Sequence, residues 1–135
     1  MGIVLAVFLM VGIALASPRI VVEEGWVRAV PPVSKMSAAF MVIRNEGDES
    51  DYLVGARSEV AKVVEIHKTF MEDGVMKMRK LERVLVPAGG SVELKPGGIH
   101  VMLIGLKKTL KSGQTVEITL IFKKSGEVSI EVPVR

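Results

Sequence analysis

His67 and His100 are the only imidazoles in this chain of 135 residues, and methionines stand at set distances from them. Met78 follows His67 by eleven residues, His100 follows Met78 by twenty-two, and Met102 follows His100 by two. Imidazole nitrogen with thioether sulfur is a ligand set suited to soft, copper-like ions, because a neutral sulfur competes poorly for harder cations. Each residue alone has an ordinary explanation, the histidines as hydrogen-bonded half-buried groups and the methionines as core filler. The joint pattern is harder to explain that way. With eight methionines in the chain, two prescribed positions are both methionine by chance at only ~0.4%. Met71 and Met76 soften this, because a methionine-rich segment offers several ways to match; they stand as spare ligands or packing. The four residues His67, Met78, His100 and Met102 therefore read as a site for monovalent copper.

Other chemistries lack their residues. The chain has no cysteine, which excludes disulfides, thiolate chemistry and a lipid-bearing cysteine. It also excludes a blue-copper electron-transfer centre, which depends on a thiolate ligand. No Gly-x-Ser-x-Gly elbow, paired-histidine helix or phosphate loop occurs, and a hydrolytic zinc site would want three His or carboxylate ligands rather than thioethers. The chain is expected not to be an enzyme. A net charge of +3, from 18 basic and 15 acidic side chains without a basic run, argues against a dedicated nucleic-acid binder.

The elements that must position these ligands begin after an apolar N-terminus. Gly2 to Leu15 carry no charge and lead into Ala14-Leu15-Ala16 and Ser17-Pro18, the small-residue pattern of a signal-peptide cleavage site, although no Lys or Arg precedes the run. The stretch is short for a membrane span, which needs about twenty residues. We expect residues 1–16 to be a signal peptide cleaved after Ala16, and residues 17–135 to be one exported domain with no stable membrane insertion.

Beyond Ala16, apolar β-branched segments recur at 20–30, 38–45, 52–58, 63–70, 75–86, 92–94, 100–106, 115–122 and 128–134. Between them sit turns such as Glu72-Asp73-Gly74, Pro87-Ala88-Gly89-Gly90 and Pro96-Gly97-Gly98. Regular short strands with glycine-rich turns point to an all-β antiparallel sandwich or small barrel. Val116, Ile118, Leu120 and Phe122, followed by Val128, Ile130 and Val132, predict a closing hairpin with one face in the core. Residues two apart share a face, so His100 pairs with Met102 and Met76 with Met78, and a hairpin at Asp73-Gly74 brings His67 toward Met78. Trp26 is expected to anchor the core, Met36 and Met41 to pack, with Met36 alternatively near the copper end; Arg28 is left open, as a surface charge or a partner contact.

The spacing His67, ten residues, Met78, twenty-one residues, His100, one residue, Met102 resembles the signature of the periplasmic copper chaperones called PCuAC. The resemblance extends through Gly25-Trp26-Val27-Arg28-Ala29 with Pro31-Pro32, Ala38-Ala39-Phe40 leading to Ile43-Arg44-Asn45, Glu65-Ile66-His67, and Pro96-Gly97-Gly98-Ile99-His100-Val101-Met102 followed by Gly105-Leu106-Lys107. It covers nearly all of residues 17–135. It implies a cupredoxin-like Greek-key β-barrel that holds copper(I) with His67, Met78, His100 and Met102. It further implies a periplasmic monomer that delivers copper to the copper-bearing subunit of cytochrome c oxidase, or to another assembly factor. Many members carry a methionine soon after the first histidine; here Lys68 follows directly and Met71 is the nearest. A copper storage or resistance binder would share the same ligands, and a metal-free envelope β-sandwich would use the methionines to line an apolar groove.

Overall fold

In a computed structural model, which describes residue 2 and residues 15–135, the period-two runs become ten strands. These are β1 (Ile20–Val27), β2 (Met36–Asn45), β3 (Asp51–Arg57), β4 (Ala61–Glu72), β5 (Val75–Lys80), β6 (Val84–Val86), β7 (Ser91–Leu94), β8 (Ile99–Leu106), β9 (Thr115–Phe122) and β10 (Gly126–Pro133). The described residues contain no helix. The expected signal peptide falls almost entirely outside the described residues.

Two sheets face each other. One runs β1-β2-β8-β4-β5, with β7 also paired to β2, and the other runs β10-β9-β3-β6. Every ladder between strands is antiparallel, and a parallel bridge joins Val27 to Val134. This is a cupredoxin-like β-sandwich, as the strand pattern and the resemblance lead one to expect. The core fills from both sheets: Val27, Met41, Ile43, Ile66, Val101 and Leu103 from the larger, and Leu53, Val86, Val116, Ile118, Leu120 and Phe122 from the smaller. Fully burying one such side chain stabilises the fold by about 1.5–3 kcal/mol, before the entropy of ordering it is subtracted. The closing hairpin forms as expected, with Gly126 paired to Phe122 and Pro133 to Thr115.

Two expectations change. The run 75–86 is not one strand: β5 pairs with β4 in the larger sheet, whereas β6 pairs with β3 in the smaller. The chain turns the corner at Leu81, whose amide donates to the Ile66 carbonyl at 2.8 Å, and no glycine or proline announces the break. Trp26 is not in the core cluster. It packs on the outer face of the larger sheet, its ring 4.7 Å from that of Phe40. That outer cover explains why β2 is buried on both faces from Ser37 to Met41 and shows no alternation there.

The segment after the expected cleavage point is tied down. The Ser17 amide donates to the Asp48 carboxylate at 2.8 Å and the Asp48 amide donates back to the Ser17 carbonyl at 3.2 Å. Gly47 makes this approach possible, since a Cβ there would lie 2.1 Å from the Ser17 carbonyl oxygen.

Candidate metal centre

Cross-strand register decides which of the four candidate ligands meet. On β4 and β8, His67 is directly opposite His100, and Glu65 is opposite Met102. Direct partners project from the same face, so His67, Glu65, His100 and Met102 share the outer face of the larger sheet, away from Ile66, Val101 and Leu103 in the core. The two imidazole centroids lie 6.1 Å apart. On the far side of β4, Met78 of β5 is opposite Thr69, and His67 is opposite Lys80. Met78 is therefore the diagonal neighbour of His67, within reach of a long side chain. The hairpin holds this register through Asp73 and Gly74, both at positive φ (51° and 75°), the two-residue turn that Asp-Gly favours.

Met78, His100 and Met102 line one groove of about 340 Å³, together with Met36, Met76, Thr69, Phe40 and Arg28. His67 adjoins it through the His100 ring. The groove is graded in exposure: His100 is 4% and Met102 8% exposed, whereas Met78 is 51% exposed. An ion held here would be enclosed from the sheet side and reachable from the hairpin side. Among the described residues no three His, Asp or Glu side chains converge as a metal-binding group, and the donors that line the groove beside His100 include the thioethers of Met76, Met78 and Met102. That donor set suits a soft monovalent ion.

Hydrogen bonds set the two rings in opposite tautomers. His100 Nδ1 lies 3.1 Å from the Gly98 carbonyl; a carbonyl only accepts, so Nδ1 carries the hydrogen and Nε2 keeps its lone pair. His67 Nε2 donates to the Glu65 carboxylate at 2.8 Å, which leaves Nδ1 of that ring open. Burial pushes the His100 imidazole below its ordinary pKa, against the bond to Gly98 that raises it, with the nearby His67 and Arg28 lowering it further. The neutral ring, the metal-binding form, is favoured. Glu65 is held below the usual carboxylate range, first by its bond to His67 and also by Lys80.

Sequence reasoning did not find the wall of the groove. Arg28 sits with its guanidinium carbon 5.2 Å from the centre of the Phe40 ring, and the Phe40 and His100 rings are 6.3 Å apart. Arg135 covers Trp26 at 5.0 Å. The period-two rule applied to Met36, Ala38 and Phe40 would have placed them on one face. Met36, the first residue of β2, is 45% exposed and lines the groove, while Met41 packs in the core.

Known proteins share this framework. The family model LpqE-like, described as "Putative lipoprotein LpqE-like", matches residues 20–134. The chain is 36% identical over 115 residues to "Putative lipoprotein Lxx21020" of Leifsonia xyli subsp. xyli, across 84% of this chain and 68% of that protein. It is 32% identical over 99 residues to the uncharacterized protein RP573 of Rickettsia prowazekii, across 73% of this chain and 55% of that one. Among solved structures, the copper-bound PCuAC domain from PmoF2 superposes with a TM-score of 0.74 at 28% identity, covering 90% of this chain and 96% of that domain. The solution structure of CuI-DR1885 from Deinococcus radiodurans superposes with a TM-score of 0.65 at 36% identity, covering 90% of this chain and 81% of that one. Taken with the two-sheet fold and the histidine–methionine groove, these matches place the chain in the LpqE-like family, within the PCuAC copper chaperones.

Proposed function

We propose that the protein binds one monovalent copper ion through His67, Met78, His100 and Met102 and carries it to an acceptor outside the cytoplasm. The observation that carries this reading is the direct pairing of His67 with His100 on adjacent strands, with Met102 and Met78 on the same face. All four ligands are neutral, so the loaded site bears a single positive charge and no thiolate holds the ion in place. Met78 lies open to solvent, and an acceptor's ligand can displace it first, which makes release a stepwise exchange. The copper-bound state of the PmoF2 and DR1885 domains, which this chain resembles over nine-tenths of its length, supports the same cargo.

The acceptor of this reading is the copper-bearing subunit of cytochrome c oxidase, or another factor in its assembly, and the compartment is the periplasm. The carrier acts as a monomer. Cleavage after Ala16 would turn the Ser17 nitrogen into an ammonium 2.8 Å from the Asp48 carboxylate, so the new terminus would gain an ion pair rather than lose its place. No helix among the described residues is long and apolar enough to cross a membrane.

Anaerobic titration with monovalent copper against a chromophoric competitor tests the site. One tight equivalent is expected, weakened at least tenfold in His100→Ala and in Met102→Ala, while circular dichroism stays that of the parent. Binding indifferent to both substitutions would remove the centre.

A further inference from the structure

The β4–β5 hairpin carries more sulfur than the four-residue centre uses. Glu72 and Val75 flank the Asp73-Gly74 turn, Met71 pairs with Met76 immediately beyond them, and Thr69 pairs with Met78 beyond that. Met76 and Met78 line the groove, and cross-strand partners share a face, so Met71 stands on the groove side as well. In a two-residue hairpin the pair next after the turn-flanking one makes no mutual hydrogen bonds and brings its side chains closest, with Cβ atoms ~5 Å apart. Two thioethers are thus held side by side.

These two methionines are left in water, at 63% and 68% exposure against 8% for Met102. Burying a methionine side chain is favourable, and most of that gain is forgone here, so packing does not account for the pair. The opposite face of the hairpin is occupied with itself. Arg79 lies over the Phe70 ring at 5.6 Å and Lys77 pairs with Glu72 at 3.4 Å, leaving the thioethers uncovered by either.

We propose that Met71 and Met76 form a second, outer site for a monovalent soft cation at the hairpin tip, with Met78 as the ligand it shares with the inner centre. The proposal rests on the reading of the inner centre as a copper site. Lacking an imidazole, the outer site is the weaker and fills after the inner one. Met78 is two residues from Met76 on the same face, so an ion moves between sites by exchanging one neutral sulfur for another, with no change of oxidation state and no proton released.

The test follows the methionine methyl signals of the 13C-methyl-labelled protein by NMR during anaerobic titration with monovalent copper past two equivalents. Met78 and Met102 are expected to respond over the first equivalent, and Met71 and Met76 over the second. The double variant Met71→Leu with Met76→Leu keeps the side-chain volume and removes both sulfurs; it is expected to lose the second equivalent and retain the first unchanged. Met41 is buried in the core on the other face of β2, and its methyl is the control. The outer site is overturned if the Met71 and Met76 methyls stay fixed, if Met41 shifts as much as they do, or if the double variant titrates like the parent. Silence at Met78 and Met102 as well would remove the inner centre too, whereas a response confined to them would remove only the outer site.

Discussion

The chemistry of His100 depends on which of its nitrogens is already engaged. The Gly98 carbonyl takes the hydrogen on Nδ1, and Glu65 does the corresponding work for His67 through Nε2. Such supporting bonds hold a ligand ring in place and fix its tautomer, and their removal typically costs 10–100-fold in metal affinity. Glu65→Ala is therefore expected to weaken copper binding by about tenfold without removing it, and Glu65→Gln by less, because the amide oxygen still accepts from Nε2. Competitive copper titration of the two variants measures both effects; equal affinities for parent and Glu65→Ala would show that Glu65 does not position the ring. The two residues separated by one position on β4 were legible as neighbours in sequence, but their bond needed a rotamer that only the folded chain selects.

At the scale of the element, the centre depends on a hairpin keeping its register. A slip of one residue between β4 and β5 would turn Met78 to the opposite face. The Asp73-Gly74 turn prevents it, with Gly74 at φ 75° and nothing within 4 Å of a would-be Cβ. A residue with a side chain at that backbone angle costs roughly 1–2 kcal/mol, so Gly74→Ala should destabilise the protein by about 1 kcal/mol and weaken copper binding as Met78 loses its fixed place. Gly113→Ala, at φ 94° in the loop before β9, carries comparable strain and should leave copper affinity unchanged. Urea unfolding and copper competition on the pair separate local from global effects; parallel losses of affinity in both would show that hairpin register is not what matters.

For the whole molecule, a buried carboxylate ties the start of β3 to the turn between β9 and β10 at one end of the smaller sheet. Asp51 is fully buried at the start of β3 and accepts the amides of Tyr52, Lys124 and Ser125 and the hydroxyl of Ser125, at 2.6–2.9 Å. Burial alone would raise its pKa, but these bonds prevail and hold the carboxyl below its ordinary value of 3.8. Because the folded pKa is depressed, the unfolded chain takes up the proton first. The stabilisation is fully present above that ordinary, unfolded value and is lost as pH falls through the folded one. Asp51→Ala leaves those donors unpaired in the interior and should cost about 3 kcal/mol at pH 7. Urea unfolding at a series of pH values should show the gap between parent and Asp51→Asn steady from pH 7 to 5 and narrowing below about pH 4. A gap that does not change with pH would mean that the charge of Asp51 contributes nothing.

Sequence alone determined the strand content, because period-two alternation and glycine-rich turns reflect constraints local to each strand. The runs 115–122 and 128–134 and the Asp-Gly turn appear almost as read. It also singled out the residue types able to hold a soft ion, since ligand chemistry belongs to the side chain itself. Only the tertiary structure decided that Val75–Lys80 and Val84–Val86 belong to different sheets, because past Leu81 the chain leaves the hairpin and Val84–Val86 finds its partner in β3, far earlier in the sequence. It moved Trp26 from the expected core to an outer stack with Phe40 and Arg135, since a ring is amphipathic to whichever layer covers it. It also set His67 opposite His100. That pairing joins residues thirty-three apart, and no local pattern encodes the register between strands so distant in the chain.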